Sequence, residues 1–255
     1  MPGKRVSAIE LRVLSEGFTR WPQDSALHDN LVQALLCRGM NSLDEGDNES
    51  AASDLRRLLE LDSDNLEALL NLGRALHNLQ RSGDALQAFD RVFRLSPETP
   101  QIQFHRAAAL SAMGRFEEAI ESLNEEIRSQ PDHAPSYYFR GVAYFYRGDW
   151  ERALSDLKAA VAGMSEFNDA VYRLGRCYDH FGMNEEAEAA FRKSARLDPS
   201  DVRPLYALGS LLARTGRADE AQEMFKKAVE EYTAENLGDE SSTIQFQSTR
   251  ERVPE

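Results

Sequence analysis

Apolar residues along the chain fall in stripes spaced three and four apart, broken by short polar turns, and the arrangement returns every 34 residues. Pro97 and Pro131 lie one period apart, and Pro131 and Pro199 lie two. Gly39, Gly73, Gly141, Gly175 and Gly209 keep the same beat, with Ala107 in the one gap. A second set runs Gly46, Gly114, Gly148, Gly182 and Gly216, while Ala51, Ala85, Ala119, Ala153, Ala187 and Ala221 never miss a turn. Two stripes at helical spacing around a polar turn predict a helix–turn–helix hairpin. The period therefore divides the chain into six hairpins, 32–65, 66–99, 100–133, 134–167, 168–201 and 202–235. Self-similarity of this length marks a stacked array whose members bury their faces against their neighbours.

Position within the period gives each residue a job. The eighth and twentieth places are small because two helices must approach closely there. A proline near the end stops the second helix, since it lacks an N–H and clashes with the preceding turn. Leu69, Leu72, Gly73, Leu76, Ala85, Phe89 and Pro97 in the second hairpin carry the pattern, as do Val171, Leu174, Gly175, Tyr178, Ala187, Phe191 and Pro199 in the fifth. Leu205, Leu208, Gly209, Leu212, Ala221, Phe225 and Ala228 repeat it in the sixth. With these residues the chain resembles the tetratricopeptide-repeat family over about four-fifths of its length. The resemblance implies an all-α, right-handed α-solenoid of six helix–turn–helix repeats.

Arg38, Arg106 and Arg140 depart from the family pattern, standing where leucine is usual, and their stems are expected to snorkel along the interior edge. Residues 1–31 hold an N-terminal capping helix, read at 6–20, and the start of an extended first helix from about Ser25 to Leu43. Beyond 235 the period ends. Residues 236–255 are rich in Ser, Thr and charge and read as a flexible, disordered tail in which Ile244 and Phe246 are isolated apolar residues. The last helix is expected to expose Lys226, Lys227, Glu230 and Glu231.

Charge narrows the partners. Against 30 Lys and Arg stand 43 Asp and Glu, a net of −13, with no basic block to release counterions from a nucleic acid. No run is long and apolar enough to insert in a membrane, and no leader-like apolar core follows Met1, so a cytoplasmic protein is the default. Cys37 and Cys177 have no partner at zinc-ligand spacing. No nucleotide-binding, metalloprotease or hydrolase motif occurs, and the five histidines form no i, i+4 pair. The acidic turn 43–50 lacks the ligand order of a calcium loop and reads as capping acids instead. Catalytic residues, metal and cofactors are therefore not expected, and the chain reads as no enzyme.

What remains is the face of each first helix not used for packing. Places 5, 9 and 12 lie about 130° from the core stripe, and in the resembled family that face lines a concave groove for peptides. Place 5 reads Leu36, Leu70, Phe104, Tyr138, Tyr172 and Tyr206, four aromatics in succession. In the aromatic stretch 134–153, Tyr137 and Tyr144 take core places, leaving Tyr138 and Phe145 for the groove. Arg74, His77, Arg173, Arg176 and Arg203 fall on or beside the same face. The rings either contact a partner or pack sideways on the next repeat. The three later arginines either converge on a carboxylate or pair separately with Asp169 and Asp179. The residues that clamp a chaperone carboxylate in some family members are absent apart from Asn71. The expected function is a non-catalytic adaptor holding a partner peptide or helix in this groove. The alternative is a homo-oligomeric scaffold that self-associates through its terminal repeats.

Overall fold

The computed structural model describes residues 6–237, with side chains through Thr233. Among the described residues every regular element is an α-helix. The chain opens with α1 (Ala8–Arg20) and α2 (Ser25–Asp44), followed by α3 (Asn48–Leu61), α4 (Leu66–Asn78), α5 (Ser82–Leu95), α6 (Ile102–Ala112) and α7 (Phe116–Ser129). Then come α8 (Ala134–Tyr146), α9 (Trp150–Gly163), α10 (Asn168–His180), α11 (Asn184–Leu197), α12 (Arg203–Arg214) and α13 (Ala218–Leu237). The chain divides into two compact bodies, Met1–Gly163 and Met164–Glu255, and each is taken by itself.

Short polar side chains start the early helices by accepting from N–H groups that have no partner inside the helix. Ser7 Oγ accepts from the Glu10 N–H at 3.1 Å while Glu10 Oε2 accepts from the Ser7 N–H at 2.8 Å, a reciprocal cap for α1. Asp24 accepts from Ala26 and Leu27 at the start of α2. Asp47 and Asn65 serve α3 and α4 in the same way, accepting from Ser50 and Ala68. The turn inside a hairpin needs one residue in the left-handed region. Gly46, Gly114, Gly148, Gly182 and Gly216 supply it with φ between 70° and 83°. In the second hairpin Gln80 takes that place at φ 59°, which is why the glycine series skips a beat there. A side chain in this conformation costs about 1 kcal/mol.

In the first body, α2 pairs with α3, α4 with α5, α6 with α7 and α8 with α9, and α2 also meets α4 as α6 meets α8. Leu31, Leu35, Leu55, Leu58, Phe89, Ile102, Leu123 and Leu157 are fully buried between these helices. Helix α1 packs on α2 through Leu11, Leu14 and Phe18. In the second body, α10 pairs with α11 and α12 with α13 around Phe191, Leu208, Leu211 and Leu212. The eighth-place glycines are close approaches, as the sequence requires: a Cβ at Gly175 would stand 2.7 Å from the Phe191 ring.

The arginines at the seventh place are not merely snorkelling. Arg38 pairs with Asp54, whose side chain is 6% exposed. Arg140 donates from Nε and Nη2 to both carboxylate oxygens of Asp156 at 2.7 and 2.8 Å, and from Nη1 to Asn124 Oδ1 at 2.8 Å. Arg106 donates to Asp90 at 2.7 Å. In each case the head is fixed by an acid on a neighbouring helix. At the other end α13 extends to Leu237, so 236 and 237 belong to it. The remainder of the expected tail, 238–255 with Ile244 and Phe246, lies outside the described residues, as do residues 1–5. Among the described residues no helix is long and apolar enough to cross a membrane.

Candidate functional site

In the first body the candidate residues sit on α4, α6 and α8, and most are drawn into packing. Phe104 is half-buried, with its ring edge-on to Phe139 at 5.3 Å and to His133 at 5.1 Å. It thus bridges consecutive hairpins, as the sideways-packing reading describes. Tyr138 is half-buried and edge-on to Phe139 at 5.2 Å. Phe145 lies against Trp150 of its own hairpin at 4.8 Å. Arg74 is exposed and donates to Asn71 Oδ1 at 3.0 Å. His77 is half-buried, its Nδ1 has no hydrogen-bond partner, and burial lowers its pKa. Beside it His105 stacks on Phe89 at 5.3 Å, and burial, reinforced by Arg74, brings its pKa down to about 4. Both rings are therefore neutral at pH 7.

The second body keeps its candidates open. Tyr172 and Arg176 on α10, Tyr206 on α12, and Phe225, Val229 and Tyr232 on α13 line a cavity of about 810 Å³. Its rim is apolar and exposed: Tyr206 is 65% exposed, Val229 62% and Tyr232 59%. The Tyr206 ring rests on Phe225 at 5.4 Å.

Three arginines meet this cavity differently. Arg173 pairs with Asp169 on its own helix. Arg203 donates to Asp201 at 2.8 Å, lies 3.1 Å from Asp169 and covers the Tyr172 ring at 5.0 Å. These carboxylates raise its pKa further above the usual guanidinium range. Two of the arginines therefore converge on a carboxylate, but it is the chain's own Asp169. Arg176 is exposed, donates to the Tyr172 hydroxyl at 3.2 Å, and has no carboxylate partner among the described residues. Asp179, the acid expected beside it, pairs with Arg214 instead.

Val229 and Tyr232 are not among the groove residues that helical geometry predicts, although the sequence carries a signal for them. Phe225, Ala228, Val229 and Tyr232 recur at i, i+3, i+4 and i+7 on α13. Lys226, Lys227, Glu230 and Glu231 occupy the opposite, exposed side, and pair as Lys226–Glu230 and Lys227–Glu223. Chemistry is sparse. Cys177 is buried and its thiol is pushed up to about 12 by desolvation, so it is not a nucleophile at neutral pH. Among the described residues no three His, Cys, Asp or Glu side chains are grouped to hold a metal.

Comparison with known proteins bears on the repeats and the fold. A family model described as tetratricopeptide repeat matches residues 38–100, 78–134, 104–163 and 138–202, and a second matches 202–235. A comparison with curated proteins gives no match. Among solved structures, MamA is 26% identical with a TM-score of 0.59, covering 65% of this chain and 97% of its own. A tetratricopeptide repeat protein from Parabacteroides merdae is 20% identical with a TM-score of 0.63, covering 78% of this chain and 79% of its own. YrrB, described as a TPR protein with an unusual peptide-binding site, is 20% identical with a TM-score of 0.58, covering 75% of this chain and 98% of its own. The last two likenesses speak to the fold alone.

Proposed function

The chain belongs to the tetratricopeptide-repeat family, and we propose that it is a non-catalytic adaptor whose partner-holding site is the cavity bounded by α10, α12 and α13. Proteins of this family generally mediate protein–protein interactions. The observation that carries the finer reading is the exposed apolar rim of Tyr206 and Val229 beside a guanidinium, that of Arg176, without a carboxylate. Apolar patches left open in this way mark interaction sites. Tyrosine gives area and a hydroxyl at small entropic cost, and a charged group at the edge fixes orientation more than it adds affinity. Tyr172, Tyr206 and Tyr232 would contact an apolar segment of the partner, Arg176 would receive its acidic group, and Arg173 and Arg203 would hold the wall in place through Asp169. Of the first-body candidates, Arg74 would offer an exposed guanidinium to a partner, while Phe104, Tyr138 and Phe145 pack against neighbouring rings.

Replacing Tyr206 and Tyr232 together by Ala removes most of the exposed aromatic rim without touching the fully buried core. Crosslinking pull-downs from native cells should lose their specific partners while helicity is kept. The same partners recovered from both forms would sink the reading.

A second reading has its own support. Val229 on α13 stands at the same place in its repeat as Leu59 on α3 and Phe93 on α5, which are half-buried under the cover of the next hairpin, whereas Val229 is 62% exposed. A second copy could supply that cover and build a homo-oligomeric scaffold. Light scattering across a concentration series separates the readings: a monomer at all concentrations eliminates the scaffold.

A further inference from the structure

Successive second helices leave a groove between them, floored by the first helix that runs beneath, and in most repeats the chain fills or neutralises this groove itself. Over α6, the Arg106 side chain occupies it. Its Nε donates to Asp90, its Nη1 donates to Gln103 at 2.8 Å, and its guanidinium covers the Phe93 ring at 4.7 Å. About 250 Å³ remains, rimmed by Glu118, Glu121 and Glu125. Arg38 and Arg140 occupy the same place in the first and fourth repeats, each with its own acid, Asp54 and Asp156. Over α12 the corresponding rim arginines, Arg192 on α11 and Arg217 just before α13, are bound by Glu188 and Glu220.

The groove between α3 and α5, over α4, breaks this pattern at every position. Leu72 stands where the filling arginine would be, Ala88 where its acid would be, and Arg56 where Asp90 stands one repeat later. The cavity is about 600 Å³, with Leu59 half-buried on its wall and Leu69, Leu72 and Leu76 buried beneath. Arg56, Arg81, Arg91 and Arg94 surround it, against Asp84 and Asp90. Arg81 is held by Asp84 at 2.6 Å and Arg91 by Asp64 at 2.8 Å, while Asp90 is taken by Arg106. Arg56 and Arg94 are exposed and have no carboxylate partner among the described residues. Arg56 lacks the acid one turn earlier that Arg192 has in Glu188, because Ala52 takes its place.

We propose that this groove is a second binding site, for an acidic peptide segment of a partner that carries an aliphatic side chain between its carboxylates. Two unpaired guanidiniums in a chain of net −13 supply the charge complementarity, and planar Arg–carboxylate pairing is the geometry they favour. An aliphatic side chain of the segment takes the space that Arg106 fills one repeat later, against Leu59 and Ala88. Asp84 and Asp90 on the same rim disfavour a dense polyanion such as nucleic acid, and suit a ligand whose charges are spaced along a backbone with N–H groups to donate. The site lies wholly in the first body and shares no residue with the cavity of the second, so neither assignment depends on the other.

The probe is a fluorescein-labelled peptide of glutamates and leucines, with two glutamates on each side of every leucine, followed by anisotropy with the full-length chain at low ionic strength. Saturable binding is expected. It should weaken about tenfold or more in Arg56→Glu/Arg94→Glu. It should also weaken in Leu72→Arg/Ala88→Asp, which installs the Arg–Asp pair of the first and fourth repeats and so fills the groove with a combination this fold already accepts. Tyr206→Ala should bind the peptide as the wild type does. The charge-matched control Lys193→Glu/Arg196→Glu in the second body should lose less than about twofold, as long-range screening predicts. Absence of saturable binding, full binding by the groove-filled variant, or an equal loss in the control overturns the proposal. So does tighter association with phosphatidylserine vesicles than with the peptide, which would assign the groove to a lipid surface.

Discussion

Removing the carboxylate of Asp156 tests what holds the fourth hairpin closed. Arg140 and Asp156 are 18% and 8% exposed, and two hydrogen bonds join them. Asp156→Ala leaves the guanidinium with Asn124 and the face of Tyr137, 5.6 Å away, and without a countercharge. Taking one partner from a buried pair costs about 3–5 kcal/mol. The surviving contacts and the partial exposure of Arg140 place this case at the low end, near 3 kcal/mol. The double variant Arg140→Leu/Asp156→Ala copies what the chain uses in its second and fifth repeats, Leu72 with Ala88 and Leu174 with Ala190. It should return to within about 1 kcal/mol of wild type, since apolar replacement of a buried ion pair is often neutral. The double variant thus recovers about 2 kcal/mol relative to Asp156→Ala. Urea unfolding followed by far-UV circular dichroism gives the overall order. Amide hydrogen exchange in α8 and α9 gives the local one, which matters because repeat arrays can lose two-state cooperativity. A double variant as unstable as Asp156→Ala would refute the reasoning.

The other predictions concern single positions. Gly175→Ala should destabilise by about 1–2 kcal/mol, because the new Cβ meets the fully buried Phe191 ring and overpacking exceeds the gain in helix propensity; a rise in melting temperature would contradict it. Gln80→Gly should stabilise by about 0.5–1 kcal/mol by relieving a left-handed side chain, visible as a higher urea midpoint at unchanged slope. The folded-state pKa of His105 lies below the unfolded value, so its contribution is present near pH 7 and is lost as pH falls from 6.5 toward 4. The slope over that window approaches about 1.4 kcal/mol per pH unit, and His105→Phe should flatten it in pH-dependent urea titrations.

The array was legible because its period is enforced by sterics: Gly175 and Gly209 face rings that leave no room for a methyl group, and such positions drift little from their beat. Helix α2 ends within a residue of the expected Leu43 for a similar reason, since the turn glycine Gly46 follows directly. The arginine pairs were less visible, because Asp54 and Asp156 lie 16 residues from their partners across a hairpin and on another helix. The recurrence of Arg and Asp at that spacing in two repeats was the available clue. Tyr172 and Tyr206 could be placed on a face from helical geometry. Val229 and Tyr232 could not be weighed in the same way, since the exposure of a second-helix face depends on what packs against it rather than on anything in its own helix. The same limit hid Phe104's role, which rests on Phe139 of the next hairpin and on His133 at the end of its own.

The seventh-place arginines also make the repeats non-interchangeable. Arg38 and Arg140 find their acids inside their own hairpins, so the first and fourth repeats carry their neutralisation with them. Arg106 depends on Asp90, which belongs to the repeat before it. Excision of residues 66–99 would preserve the period and every small residue at the helix crossings. It would nevertheless set Arg106 opposite Arg56, the residue one period before Asp90, and replace an ion pair with a repulsion in a partly desolvated groove. The linear order of near-identical modules is thus written into charge, much as a keyed connector accepts its neighbour in one sequence and rejects a shortened copy.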